Sequence, residues 1–352
     1  MDQWPAWLER DRLHPGGEFL FAADAKIIPV WGSGDEILWH SGEGLLIVGP
    51  TGVGKTTLTI QLVLALSGLR SPWVLGYPIN GEPRRVLYLA GDRPDQFRRA
   101  MLRSVTETDR EQLDAMLTVW RGPSPRDIAR APDTLLEMCK QTNAEAVFID
   151  SLKDAALRLS EDEAGSGFHR ATQLCLVHGI EVATLHHQRK GQDGRKPTTI
   201  EDIYGSGWIA NGSGSIIILW GDAGSPIVEF THLKQPAGVV GPFTLEHDHL
   251  EGRTHVIQGK VDIIAMVSEA GTTALEVAAK LYATTTPTDS QRRAAHRKLE
   301  GLVTGEYLRK LEVHQSAGGR PLSKYFRNDQ WTGAMDTEVS DKPMDINGQG
   351  TP

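Results

Sequence analysis

The chain has 352 residues, 39% of them hydrophobic and 23% charged, with a formal net charge of −8. That length suits a large α/β domain with a smaller one beside it. The negative balance excludes a bulk polycation, so any nucleic-acid contact must come from local basic patches. Two cysteines, Cys139 and Cys175, suggest neither a disulfide framework nor a cysteine zinc site, which fits a reducing cytoplasm. The opening M-D-Q-W-P-A-W-L-E-R-D-R has no basic segment followed by an apolar core, so it does not read as a secretory signal, and no apolar run is long enough to span a membrane.

Residues 1–30 read as a lead-in, in which Trp4, Trp7 and Leu8 could form a short amphipathic turn. Ile27–Trp31 and Ile37–His40, joined by Gly-Ser-Gly-Asp, predict a hairpin. Trp31 and Trp39 on it read as packing residues in preference to a base-stacking platform. Leu45–Val48 then predicts a buried strand, Gly49–Lys55 a glycine-rich loop, and Thr56 onward a helix with apolar residues at helical spacing. Gly49, Gly54, Lys55 and Thr56 satisfy G-x-x-x-x-G-K-[ST] in full. Glycines let the backbone wrap with its N–H groups turned towards an anion, and the helix start adds its dipole at the same point. The expected phosphate cradle is Gly49, Pro50, Thr51, Gly52, Val53, Gly54, Lys55, Thr56 and Thr57. Lys55 would reach the β- and γ-phosphates of ATP, and the Thr56 hydroxyl would ligate Mg²⁺.

Arg85–Ala90 predicts a second buried strand running into Gly91-Asp92. Asp92 is either the carboxylate that orients water for attack on the γ-phosphate or an N-cap for the following helical pattern. After a helix over Asp127–Thr142, Ala146–Ile149 predicts a strand ending in Asp150, the form of a Walker B element that holds Mg²⁺ opposite Thr56. Asp154 lies in the next turn. Ser160–Gly167, acidic and glycine-containing, predicts a mobile loop, followed by a helix over Phe168–His178. Glu181–Leu185 predicts a further strand, and His186-His187 follows it without a second pair at metal-binding spacing. The loop from Lys190 to Gly205, with Arg189, Lys190, Arg195 and Lys196, is either a single-stranded nucleic-acid contact or a solvated surface loop.

Ile216–Trp220 and Ile227–His232 predict two strands, and Phe243–His247 with Arg253–Ile257 a closing hairpin with His247-Asp248-His249 as its polar turn. Composition shifts near Gln258-Gly259-Lys260. Helices follow from Val261, from the capping box at Thr273–Glu276, and from a second capping box at Thr288–Gln291; Tyr307–Val313 and Ser323–Arg327 predict a two-stranded ribbon. Three helices and a ribbon describe a winged helix-turn-helix over 259–331, with Arg292, Arg293 and Arg297 on the face that would meet DNA or, alternatively, a protein partner. Residues 332–352 read as a disordered acidic tail.

The order of these elements resembles hexameric replicative helicases, above all the plasmid RepA-type and phage-encoded relatives of the DnaB group. The resemblance spans roughly residues 30–258 and rests on V-L-Y-L-A-G-D, I-D-S-L-K-D, L-H-H-Q-R-K and K-Q-P-A-G. It implies a RecA-like α/β P-loop core over 31–258 with a twisted, mostly parallel sheet. Lys55 and Thr56 match the phosphate lysine and the magnesium hydroxyl, Asp92 the position of the catalytic glutamate, and Asp150 the Walker B aspartate. His187 matches the γ-phosphate sensor and Lys234 a finger that acts on a neighbouring subunit's nucleotide. Two departures stand out: Asp92 is a methylene shorter than glutamate, and Pro236 stands where an arginine finger often sits. The resemblance implies a ring, expected to be a hexamer, that hydrolyses ATP to move on single-stranded DNA, with a primase or another replication partner on the winged helix. A switch or loader without unwinding activity, and a filament-forming recombination ATPase, are the competing readings.

Overall fold

In the computed structural model the described residues are 12–21, 29–188, 196–258, 263–281, 285–287, 289–304, 308–313 and 321–328. The chain divides into two compact units, Met1–Lys260 and Val261–Pro352.

The first unit opens with α1 (Gly16–Phe21), then the hairpin β1 (Pro29–Ser33) and β2 (Glu36–His40). Its tryptophans belong to the core. Trp31 and Trp39 are fully buried, each donates its indole N–H to a backbone carbonyl (Val74 and Glu43), and Trp39 meets Phe148 edge-on. They cannot stack on a base. β3 (Leu45–Gly49) leads through the glycine loop into α2 (Lys55–Leu66). Two-residue strands β4 (Trp73–Val74) and β5 (Tyr77–Pro78) pair in the turn-rich stretch between α2 and the next sheet strand. β6 (Val86–Ala90), α3 (Pro94–Met101) and α4 (Arg110–Met116) precede β7 (Leu117–Arg121), a strand the sequence pattern did not reveal because it is largely exposed.

α5 (Asp133–Thr142) starts later than the helix expected from Asp127, because Pro132 occupies its N-cap and the preceding residues turn around the Asp127 carboxylate, which accepts from Ala129 N–H at 3.0 Å. β8 (Ala146–Asp150) and the short α6 (Leu152–Ala155) follow. α7 (Asp162–Val177) overturns the expected mobile loop over Ser160–Gly167, since one 16-residue helix covers most of that segment. Asp162 and Glu163 suit the positive end of its dipole. Its glycines serve packing: a Cβ on Gly167 would lie 2.0 Å from the Ala129 carbonyl oxygen, and one on Gly165 2.6 Å from Ser206.

β9 (Glu181–His187), α8 (Gly207–Asn211), β10 (Ser215–Trp220), β11 (Ile227–Lys234), β12 (Phe243–Asp248) and β13 (Arg253–Gln258) complete the unit. The nine-stranded sheet has the order β13-β12-β11-β10-β3-β9-β8-β6-β7. From β10 to β7 neighbours are parallel, and β11, β12 and β13 extend it antiparallel. Except at the exposed edge strand β7, both faces of the parallel part are covered, which is why its strands read as unbroken apolar runs. Leu45 and Ile47 enter one core with Tyr88, Phe148 and α2 residues; Leu46 and Val48 enter the other with Ile149, Cys139 and Cys175. β9 stands between the glycine-loop strand β3 and the carboxylate strand β8, an arrangement in keeping with the RecA-like P-loop core that the sequence resemblance implies. Among the described residues no helix is long and apolar enough to cross a membrane.

The second unit contains α9 (Ile263–Met266), α10 (Ala274–Leu281), α11 (Asp289–Thr304) and the ribbon β14 (Leu308–Val313) with β15 (Leu322–Arg327). The capping box at α10 is complete: Thr273 N–H donates to Glu276 at 2.7 Å, and Glu276 N–H returns to the Thr273 hydroxyl at 3.2 Å. Thr288, Tyr307 and the tail from 332 lie outside the described residues. Thr272 forms an antiparallel bridge to Tyr325, adding a third strand position to the ribbon that the sequence did not signal.

The first unit's core holds a Ser–His pair whose hydrogen-bond pattern sets a pH limit. Ser215 gives its only proton to the Leu38 carbonyl at 2.6 Å, so its oxygen accepts from His232 Nε2 at 2.8 Å. The other ring nitrogen is buried and, among the described residues, has no partner; burial pulls the His232 pKa down to about 4. Between pH 6.5 and 4 the unfolded ring takes a proton that the folded ring refuses, so stability falls as pH drops through that window. At pH 5 this ring should account for about 2 kcal/mol of lost stability relative to neutrality. Urea unfolding at pH 5 and 7.5 should therefore show a shallower acid loss in His232→Gln than in wild type.

Candidate nucleotide site

The cradle forms where β3 ends in the middle of the sheet. A Cβ on Gly49 would sit 2.2 Å from the Leu219 carbonyl oxygen, and Gly52 and Gly54 both have φ of +81°, a region that side chains strain to enter. Lys55, 5% exposed, folds back over the loop, its Nζ donating to the Gly49 and Pro50 carbonyls at 2.7 Å each. Burial lowers its pKa to about 8, against the pull of Asp150. A triphosphate would supply the anionic partners that these neutral carbonyls only imitate.

Thr56 and Asp150 meet as expected, the hydroxyl donating to Asp150 Oδ2 at 3.0 Å. An aspartate and a threonine oxygen this close suit a hard cation that keeps several of its own waters, so the pair fits Mg²⁺. The same Oδ2 accepts from Tyr88 at 2.7 Å, a contact absent from the sequence reading. Tyr88 is fully buried on β6 and stacks on Phe97 at 4.0 Å between ring centroids. Burial raises the Asp150 pKa, while the two hydroxyl donors and Lys55 oppose that rise. Tyr88 looked like an apolar strand position because its ring packs as one.

Asp92 does not cap α3, whose N-cap is Arg93. Its carboxylate pairs with Lys153 at 3.2 Å and Arg93 at 3.6 Å. Lys153 is a site residue the sequence offered only as part of a turn. Asp154 accepts from Ser151 at 2.7 Å. His187 ends β9 with Nδ1 3.4 Å from the Thr51 hydroxyl. Burial first, then the positive charges of Lys55 and Lys153, lower its pKa to about 4, so at neutral pH it is an uncharged ring beside the loop.

Lys234 is not in this cluster. β3 and β10 run parallel with Ile218 opposite Val48, while Lys234 lies opposite Ile216 at the far end of β10, where its Nζ donates to the Asn211 carbonyl at 2.9 Å. Of the basic residues, Arg189, Lys190 and Arg195 lie outside the described residues. Lys196 is tied to Glu229 at 2.7 Å and to the Thr231 hydroxyl at 3.3 Å. Arg292 pairs with Asp289 and Arg293 is exposed, while the Arg297 side chain lies outside the described residues. The expected polar turn at His247-Asp248-His249 needs correcting. His247 is 2% exposed and inward-facing on β12, and the turn is organised by Asp248, which accepts from Leu250 and Glu251 N–H. Among the described residues no group of three or more His, Cys, Asp or Glu could hold a metal by itself.

A family model described as an AAA domain matches residues 33–193, which include the glycine loop, Asp92, Asp150 and His187. A search of curated proteins finds no match. Among solved structures the chain is similar to the KaiC-like protein PH0186 from Pyrococcus horikoshii OT3. Identity there is 14% and the TM-score 0.47, over 66% of this chain and 99% of that one. It is also similar to a second solved structure, an isolated ATPase domain, with 14% identity and a TM-score of 0.44 over 61% and 85% of the two chains. The family match and the site's geometry support ATPase activity.

Tyr88→Phe tests the carboxylate's support. Losing one hydroxyl donor to a buried charge should cost about 1–3 kcal/mol of stability and raise the Mg²⁺ needed for half-maximal ATP turnover several-fold. A magnesium titration and urea unfolding check both; an unchanged magnesium requirement would reduce Tyr88 to a packing residue.

Proposed function

We propose that this chain is an ATP-hydrolysing RecA-fold motor that assembles as a ring, a hexamer, and moves on single-stranded DNA as a replicative helicase in the cytoplasm. One observation carries the reading. The strand end that touches the glycine loop through His187 also holds the root of the basic loop. Gln188 donates its backbone N–H to the Gly49 carbonyl at 3.0 Å, its side chain donates to the Asp202 carbonyl at 2.9 Å, and it accepts from Tyr204 N–H at 2.9 Å. A change at the γ-phosphate therefore has a short hydrogen-bonded route to the segment carrying Arg189, Lys190, Arg195 and Lys196.

In this reading Thr56 and Asp150 would hold Mg²⁺, which would supply positive charge against the phosphates. Lys55 leaves its loop carbonyls for the β- and γ-phosphates. Asp92 orients the attacking water and accepts its proton as the γ-phosphoryl group leaves ADP. Lys234 ends β11 at the opposite end of the strands from its own loop, which favours action on a neighbour's nucleotide across a head-to-tail interface. The second unit serves as a winged helix. The Thr272 bridge to Tyr325 supports that topology, and Arg292, Arg293 and Arg297 would meet nucleic acid or a replication partner such as a primase.

A switch or loader without unwinding activity is favoured by one specific contact. Asp92 is held by Lys153 and must exchange that partner before it can orient water.

ATP turnover with and without single-stranded DNA, with Lys55→Ala as the blank, separates these readings. Strong stimulation is expected for the motor; slow turnover indifferent to DNA would favour the switch. Lys55→Ala and Lys234→Ala should each be inactive alone. Mixed in equal amounts they should regain turnover at roughly one interface in four, because a Lys55→Ala copy lends its intact Lys234 to a neighbour. No recovery on mixing would remove Lys234 from the trans role.

A further inference from the structure

His247 belongs to none of the steps above, yet it is buried against the phosphate loop. On β12 the inward positions are Phe243, Leu245 and His247. The imidazole Nε2 is 3.0 Å from the Val53 carbonyl oxygen and Nδ1 is 2.8 Å from the Thr254 hydroxyl. A carbonyl can only accept, so Nε2 carries the hydrogen and donates, and Nδ1 accepts from Thr254. Thr254 stands opposite His247 in the β12–β13 ladder, and its N–H donates to the Gln61 side chain of α2 at 3.0 Å. Burial lowers the His247 pKa, which keeps Nδ1 free to accept. The ring also fills the space beside Gly54, where a Cβ would lie 2.1 Å from Nε2.

A trans peptide is planar, with its C=O and N–H pointing in opposite directions. Turning the Val53 carbonyl outward to His247 therefore turns the Gly54 N–H inward, towards the space the phosphates would occupy. The neighbouring peptide is treated alike: Gly224 N–H donates to the Gly52 carbonyl at 2.9 Å, which turns the Val53 N–H inward. Gly224 uses backbone, whereas His247 uses a side chain and can be replaced.

We infer that His247 is a positioning residue for nucleotide binding, acting through the Val53–Gly54 peptide to aim an amide N–H at the phosphates. This rests on the reading of the loop as a nucleoside triphosphate cradle.

The test is equilibrium titration of the full chain with fluorescent N-methylanthraniloyl ADP in EDTA, with melting of the free proteins measured in parallel. His247→Met keeps bulk and loses the donor; it should weaken binding roughly tenfold, the scale of one well-placed hydrogen bond. His247→Gln retains an amide N–H at the reach of Nε2 and should stay within about threefold of wild type. Wild-type affinity in His247→Met, or equal losses in both variants that follow their melting temperatures, would overturn the proposal. If His247→Met does not fold, Thr254→Val, which frees the ring to change tautomer, should weaken binding about threefold, and unchanged affinity there overturns it equally. A wild-type chain that fails to bind the probe overturns the cradle reading itself.

Discussion

A loop that offers its amide N–H groups to an anion must find partners for its carbonyls on the opposite side, because both belong to the same rigid peptides. Here that requirement is met from several directions. The Gly49 carbonyl accepts from Lys55 and from Gln188 N–H, Pro50 from Lys55, Gly52 from Gly224 N–H, Val53 from His247 and Gly54 from Leu58 N–H. The partners come from the loop's own lysine and helix, from the end of β9, from the β10–β11 turn and from β12. The antiparallel extension of the sheet is thus part of the nucleotide site, although Lys234, at the far end of β11, is its one expected catalytic residue.

Charge in the site follows the same economy of partners. Lys55 is buried with neutral oxygens and has a pKa lowered to about 8, and Asp150 is buried with hydroxyl donors and has a pKa raised. Each is held near its counterpart's position without a full ion pair, a state that a magnesium–triphosphate complex would complete on both sides. Asp92 and Lys153, at side-chain exposures of 33% and 45%, form a looser pair nearer solvent. That pair can be exchanged without the desolvation that would attend any rearrangement at Asp150.

The sequence displayed the parts of this design whose residue type is forced by local geometry. The glycine loop, the strands buried on both faces, Asp150 and the Thr273–Glu276 cap all carry signals within a few residues. What it hid depends on contacts distant in the chain. Gly165 and Gly167 suggested a loop, but their smallness answers to Ser206 and to the Ala129 backbone across a helix contact. Tyr88 reads as one more apolar residue until its hydroxyl is seen on Asp150. His247 sits next to a polar turn and differs from it only through the two-residue alternation of β12. Lys234 shows the converse: its resemblance to a finger residue is legible, while its remoteness from its own loop emerges only from the antiparallel register.

The alternation of β3 between two cores has an evolutionary corollary. Leu45 and Ile47 face one core, Leu46 and Val48 the other, and Gly49 must arrive where only hydrogen fits beneath the Leu219 carbonyl. Inserting or deleting one residue in this strand would exchange its faces and misplace the glycine together. Length variation among descendants of this chain is thereby directed to segments such as the His249–Gly252 turn, whereas the spacing from Leu45 to Lys55 is frozen as a unit.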